Sequence, residues 1–148
     1  MRWSSRGRDH VPMTKSDTQI ASGTYIGATA DELTSRTGSD KVAAGVSQKV
    51  LFQHRGEISL FPDRLVLGDW HDGDDLVLGQ QDITEAQVRF TDLYGRFIGG
   101  LLNAGKPLIL TLPAVGELYL LIDRKEIMET TDDRRWAKLL TEWLSLDR

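Results

Sequence analysis

Beyond Val46 the chain runs in short stretches whose apolar positions recur at every second residue, the spacing of a strand with one buried face. An apolar run at 50–52 comes first. In residues 57–61 Ile58 and Leu60 share a face, and the turn pair Pro62-Asp63 leads into 64–68 with Leu65 and Leu67 inward. Asp72-Gly73 marks a tight hairpin whose return strand is 75–78. Residues 86–90 set Ala86, Val88 and Phe90 against Gln87 and Arg89, and residues 96–98 form a further short run. Residues 107–112 and 117–122 make a last hairpin about a turn at 113–116. Counted from Glu57 to Ile122, seven strands spaced roughly 8–12 residues apart predict an antiparallel sandwich or barrel.

The period then changes. Trp136, Leu139, Leu140, Trp143 and Leu144 are spaced as one face of an α-helix, with Arg135, Lys138 and Glu142 on the other side. Thr131 is the expected N-cap, and Asp132 and Asp133 put negative charge at the positive end of the helix dipole. Each large apolar side chain on this face gains about 1.5–3 kcal/mol from burial, so the face requires a partner surface. The pattern therefore predicts a mainly β fold: a seven-stranded antiparallel barrel or sandwich closed by one C-terminal α-helix.

The first third is weaker in pattern. Residues 24–27 have the composition of a short strand. Thr29, Asp31, Glu32 and the terminating Gly38 predict a short helix over 30–37, with only Ala30 and Leu33 on its apolar face. Residues 1–19 are polar, basic and aperiodic, and residues 38–45 are small and polar. Residues 1–45 thus read as a flexible arm and linker, and residues 46–148 as the domain.

Charge narrows the choice of partners. The chain has 148 residues, 27% of them charged, and a net charge of −4. Residues 1–19 hold four basic and two acidic residues, whereas 47–148 hold 12 basic and 17 acidic ones. A folded part without a continuous basic stripe speaks against nucleic acid and predicts weak or no membrane binding. No cysteine is present, which excludes disulfides and thiolate metal sites. No apolar run approaches the ~20 residues of a membrane span, and the positive N-terminus is not followed by an apolar segment, so the cytoplasm is the expected location.

Candidate chemistry is sparse. Asp69, His71, Asp72, Asp74 and Asp75 form the densest polar cluster, but their spacing does not match a calcium loop, and a solvated hairpin tip accounts for them. His10, His54 and His71 lie on separate segments without zinc-ligand spacing. No Gly-x-Ser-x-Gly elbow occurs, and the glycines around 99–105 lack the order of a phosphate loop. The expectation is no catalytic residue, no metal and no cofactor.

Strand order and local motifs carry a resemblance. Residues 56–67, Gly-Glu-Ile-Ser-Leu-Phe-Pro-Asp-Arg-Leu-Val-Leu, look like the first hairpin of bacterial and GRAM-type members of the pleckstrin-homology-like superfold. Asp82-Ile83 resembles the short element leading into their fourth strand, and Trp136-Ala-Lys-Leu-Leu is similar to the helix that plugs one end of their barrel. The resemblance covers about residues 50–146. It implies the fold rather than a function, and the superfold's lipid-binding members carry basic residues at the loop joining strands one and two. On this alignment that loop is residues 61–64, with Arg64 beside Asp63 and no nest of basic residues.

One stretch has the composition of an interface. Residues 92–102 concentrate Leu93, Tyr94, Phe97 and Ile98 around Arg96 in a connection where turn residues are expected. Leu93, Tyr94, Arg96, Phe97 and Ile98 are the candidate partner-binding residues. The functional expectation is a non-catalytic interaction module that engages a protein partner or forms a homo-oligomer. The alternative is a barrel holding a small molecule or lipid.

Overall fold

The computed structural model describes residues 2–5, 18–39, 52–89, 97–98, 101–102, 107–123 and 131–146. Its strands are β1 (Arg2–Ser5), β2 (Ala21–Thr29), β3 (His54–Leu60), β4 (Leu65–His71), β5 (Asp74–Leu78), β6 (Glu85–Val88), β7 (Phe97–Ile98), β8 (Leu101–Leu102), β9 (Leu108–Leu112) and β10 (Gly116–Ile122). Helix α1 (Ala30–Ser39) follows β2, and helix α2 (Asp133–Ser145) closes the chain. One sheet runs in the order β1-β5-β4-β3-β2-β10-β9-β6 with every pair antiparallel, and β7 pairs with β8 apart from it. Without the edge strand β1, seven strands curl into a half-barrel around α2.

The seventh strand of that barrel is not where the pattern puts it. Residues 97–98 and 101–102 form the separate hairpin, and β2 takes the vacant place between β3 and β10. Its register runs Leu118↔Thr29 to Ile122↔Tyr25 on one side and Ala21↔Leu60 to Gly27↔His54 on the other. The sheet therefore recruits residues 21–29, ahead of the Val46 boundary inferred from hydrophobic pattern. Only Tyr25 and Ile26 in β2 are large enough to signal a strand, and the small or polar residues around them hide the rest. Smallness has a packing reason at Gly27, where a Cβ would lie 2.7 Å from the Leu120 side chain and 2.9 Å from Trp70.

Residues 1–19 also depart from expectation. Residues 2–5 pair with β5, Arg2↔Val77 through Ser5↔Asp74, rather than standing off as an arm. Trp3, half exposed, comes within 6.2 Å of the His71 ring.

Apolar side chains on the inner face converge on α2. Ile58, Leu60, Leu65, Leu67 and Leu78 of β3 to β5 meet Leu108, Leu110, Leu112, Leu118 and Leu120 of β9 and β10, and Trp136, Leu140, Trp143 and Leu144 complete the core. Trp136 is fully buried. Trp143 keeps its indole Nε1–H satisfied by donating to the Pro62 carbonyl at 3.0 Å, and its own carbonyl accepts from Gln80 Nε2 at 2.9 Å. The helix start differs from expectation by one residue: Asp132 occupies the cap position, and Thr131 Oγ1 only accepts a long 3.4 Å bond from the Asp133 N–H.

A second apolar cluster lies on the outer face. Ala28, Ile109, Tyr119 and Leu121 are covered there by Leu33 of α1 and by Phe52. β10 is buried on both faces from Leu118 to Ile122, which explains its unbroken apolar run.

Candidate functional site: the open strand edge beside the C-terminal helix

The sheet ends at β6, whose only strand partner among the described residues is β9. Pro107 and Thr111 direct their carbonyls at the β6 side, accepting from Arg89 N–H at 3.3 Å and Thr84 N–H at 2.9 Å. In an antiparallel ladder that phase assigns Glu85 and Gln87, opposite Thr111 and Ile109, to the bonds with β9. The backbone N–H and C=O of Ala86 and Val88 then face outward, along the free edge.

That edge borders a groove against α2. One part, about 590 Å³, is lined by Ala86, Gln87, Val88, Ala137, Lys138, Thr141 and Glu142. An adjoining part of about 540 Å³ adds Thr84, Glu85, Leu144 and Ser145. Strand alternation decides the floor: Ala86 and Val88 are half-buried toward the helix, whereas Glu85 and Gln87 are exposed. Small side chains at Ala86 and Ala137 leave the width, and Lys138 and Glu142 give a rim of mixed charge. On the exposed face of β6, Glu85 accepts from Gln87, Gln87 accepts from Arg89 Nε at 3.1 Å, and Arg89 Nη2 reaches Glu117 at 3.0 Å. This polar chain runs along the exposed face of β6 from Glu85 to Glu117.

The remaining candidates resolve into structural roles. In the acidic hairpin, Asp72 and Gly73 take positive φ values of 48° and 85°, as a two-residue turn of the mirror-image type demands. Asp69 Oδ1 accepts from Gly73 N–H at 2.8 Å and Asp75 Oδ1 from Asp69 N–H at 2.9 Å. Two of the five polar residues are thus committed to the turn itself, and no group of three metal-ligating side chains exists among the described residues. His54 has both ring nitrogens engaged, Nδ1 with the Trp70 carbonyl oxygen and Nε2 with the Glu32 carboxylate at 2.8 and 2.9 Å. Both nitrogens are thus taken up by contacts within the fold. His10 lies outside the described residues.

Asp133 is the titratable group that sequence reasoning misplaced. Its side chain is 1% exposed, not a surface partner of the helix dipole, and Oδ1 accepts the Ile122 N–H at 2.7 Å. Burial pushes its carboxyl up to about 8, against the opposing pull of the backbone bond from Ile122. The i to i+3 step from Asp133 to Trp136, both on the inward side, was the available signal.

Of the candidate partner-binding residues, Leu93, Tyr94 and Arg96 lie outside the described residues, and Phe97 and Ile98 form β7, opposite Leu102 and Leu101. The groove residues were not singled out by sequence, because an edge strand of Ala, Gln and Val has the same alternation as any other strand. No helix among the described residues is long and apolar enough to cross a membrane.

No protein-family model matches the chain. No curated protein matches it either. Among solved structures, it is similar to one described as the Vps36 N-terminal PH domain, with a TM-score of 0.53 and 15% sequence identity over 97% of this chain and 92% of that one. In this strand order the 56–67 hairpin joins the second and third barrel strands, so the connection between the first two is residues 30–53 rather than 61–64. With seven antiparallel strands curled around a C-terminal helix, and with that structural match, the chain has the pleckstrin-homology-like fold.

Proposed function

We propose that the chain is a non-catalytic protein-interaction module that receives an extended peptide segment of a partner by strand addition at β6, beside α2. The observation that carries this reading is the free edge itself. The N–H and C=O groups of Ala86 and Val88 are presented in ladder phase, next to an open groove lined by Ala86, Val88 and Ala137. Backbone bonds supply affinity that is indifferent to peptide sequence, and the floor of Ala86, Val88 and Ala137 selects for apolar side chains at alternate positions. The stretch containing Leu93, Tyr94, Arg96, Phe97 and Ile98 leaves β6 at its C-terminal end, and we assign it to the same partner surface. A small molecule or lipid inside the barrel would need the volume that Trp136, Leu140 and Trp143 fill.

Val88→Pro provides the test. Proline removes an N–H from the open edge and none from the bonds to β9. Unstructured twelve-residue peptides displayed as a library are selected against the parent, then measured on both proteins. Each lost backbone bond is worth on the order of 1 kcal/mol, so affinity should fall about fivefold to tenfold in a variant that keeps its melting temperature. Peptides that bind both proteins equally, or a library that yields none, overturn the reading. Selection of the chain's own segments, with a dimer in solution, turns the partner into a second copy.

A further inference from the structure

Helix α1 covers an apolar face, and few of its described side chains reach that face. Beneath it lie Ala28, Ile109, Tyr119 and Leu121, all buried, yet among the described side chains the helix contributes only Leu33 and the partly buried Ala30 to that cluster. A helix of ten residues is short enough to depend on tertiary contacts for its stability. Its N-terminus is held otherwise. Thr29 and Glu32 form a capping box, the Thr29 N–H donating to Glu32 Oε1 at 2.8 Å and the Glu32 N–H to Thr29 Oγ1 at 3.1 Å. The same Glu32 carboxylate accepts from His54 Nε2. The His54 ring is fixed in turn on β4: it stacks on Trp70 with centroids 4.0 Å apart and planes 4° from parallel, while Nδ1 meets the Trp70 carbonyl oxygen. Trp70 stacks on Tyr25, and Tyr25 donates its hydroxyl to the Gly68 carbonyl at 2.7 Å, so the platform is braced from β2 as well.

The Trp70 carbonyl and the Glu32 carboxylate can only accept. A neutral imidazole has one N–H and can satisfy one of them; the imidazolium has two and satisfies both. We propose that His54 is a proton-operated clasp, holding α1 down on the outer face of the sheet when its ring carries both protons and loosening the helix when one is lost. Among the described residues, Glu32 from α1 is the charged group in contact with the ring. From β4 the ring meets the neutral Trp70, and across the ladder on β2 it faces Gly27, which has no side chain. On neighbouring positions, Asp31 of α1 and Arg55 of β3 are exposed. Loss of a proton converts one of the two short contacts into a lone-pair repulsion. The link in the chain that gives way is the Glu32 contact, because Trp70 is locked into the sheet and the helix is not. What is uncovered is the apolar patch of Ile109, Tyr119 and Leu121.

The test is hydrogen exchange of the α1 backbone amides followed by NMR from pH 5 to pH 8.5, corrected for the intrinsic rates, with the His54 ring nitrogens titrated in the same sample. The expected result is that protection of α1, relative to β4, drops about tenfold or more as the His54 ring loses its proton, the size of one lost charge-assisted bond. In His54→Gln, which keeps a single donor, α1 protection should be low and independent of pH. In Glu32→Gln, which keeps the capping acceptor but not the charge, the pH response should shrink while the sheet is unchanged. The clasp is overturned if wild-type α1 protection does not follow the ring titration, or if the same pH response persists in His54→Gln. The wild-type titration decides by itself should either variant fail to fold.

Discussion

The Asp133 carboxyl accepts the backbone N–H of Ile122 at 2.7 Å, tying the first turn of α2 to the last residue of β10. The Asp132 N–H donates back to the Ile122 carbonyl at 2.8 Å, so strand and helix are fastened at one point from both sides. The cost of this joint is a buried acid. Asp133 Oδ2 and the Trp136 indole N–H have no hydrogen-bond partner among the described residues, and both are buried.

Stability should therefore fall with rising pH across the acid to neutral range. The Asp133 carboxyl ionises near its ordinary 3.8 once unfolded but near 8 when folded, so between those values the folded state holds a proton that the unfolded state has released. Below pH 4 the contribution is fully present, and above pH 8 it is gone; the loss accumulates at about 1.4 kcal/mol per pH unit between them. Urea denaturation of the parent and of Asp133→Asn at intervals from pH 4 to pH 8 measures it. Asparagine keeps the acceptor for Ile122 and cannot ionise, so the two profiles should lie close together near pH 4 and diverge steadily toward high pH, with the parent losing stability relative to the variant. Parallel profiles would remove Asp133 as the cause.

Trp136→Ala should cost about 3–5 kcal/mol, because the ring is wholly enclosed by both sheet halves and the space left cannot collapse around a rigid barrel. Chemical denaturation gives the value directly. A loss below about 1 kcal/mol would mean the core closes without the ring, contrary to its burial.

Legibility of the fold followed the strength of periodicity. The strands with alternating leucines, β3, β4, β9 and β10, and the helix with Trp136 and Trp143, stand where their pattern puts them. β2 was undervalued because Gly23, Gly27 and Ala28 carry little apolar signal, and the close approach of Trp70 and Leu120 that makes Gly27 fitting is a tertiary fact. β1 was missed since four polar-flanked residues gain strand form only from the edge of β5. Thr29 reads as an N-cap from sequence, but nothing in the sequence joins Glu32 to His54, 22 residues away. The groove was illegible for a similar reason: Ala86 and Ala137 acquire meaning only from being opposite one another across a sheet edge.

Deleting residues 1–5 should lower the melting temperature by a few degrees, contrary to what an unpatterned arm would do. Four residues of ladder with β5 are lost, Trp3 no longer stands opposite Leu76, its register partner, and the edge of β5 is opened. Differential scanning calorimetry reads the shift, and exchange of the Leu76 and Val77 amides localises it. An unchanged melting temperature with unchanged protection at β5 would show that the pairing contributes nothing to the fold.

Binding to anionic vesicles should be weak and lost at moderate salt, but for a reason different from the short 61–64 turn. The connection between the first two barrel strands is residues 30–53, whose charged residues are Asp31, Glu32, Arg36, Asp40, Lys41 and Lys49, three of each sign. Glu32 is already engaged by His54, which leaves the basic members only slightly ahead. A polybasic surface gains about 1 kcal/mol per free Lys or Arg near an anionic leaflet, so one uncompensated charge gives a bias rather than a binding site. At roughly 0.15 M salt the screening length of about 8 Å removes most of what remains. Co-sedimentation with phosphatidylserine–phosphatidylcholine vesicles, with and without a few per cent of a phosphorylated inositol lipid, separates the cases. Charge alone predicts equal, feeble pelleting that vanishes on raising the salt. Salt-resistant pelleting confined to the inositol lipid would reveal a headgroup site, and would displace the peptide groove as the first function to pursue.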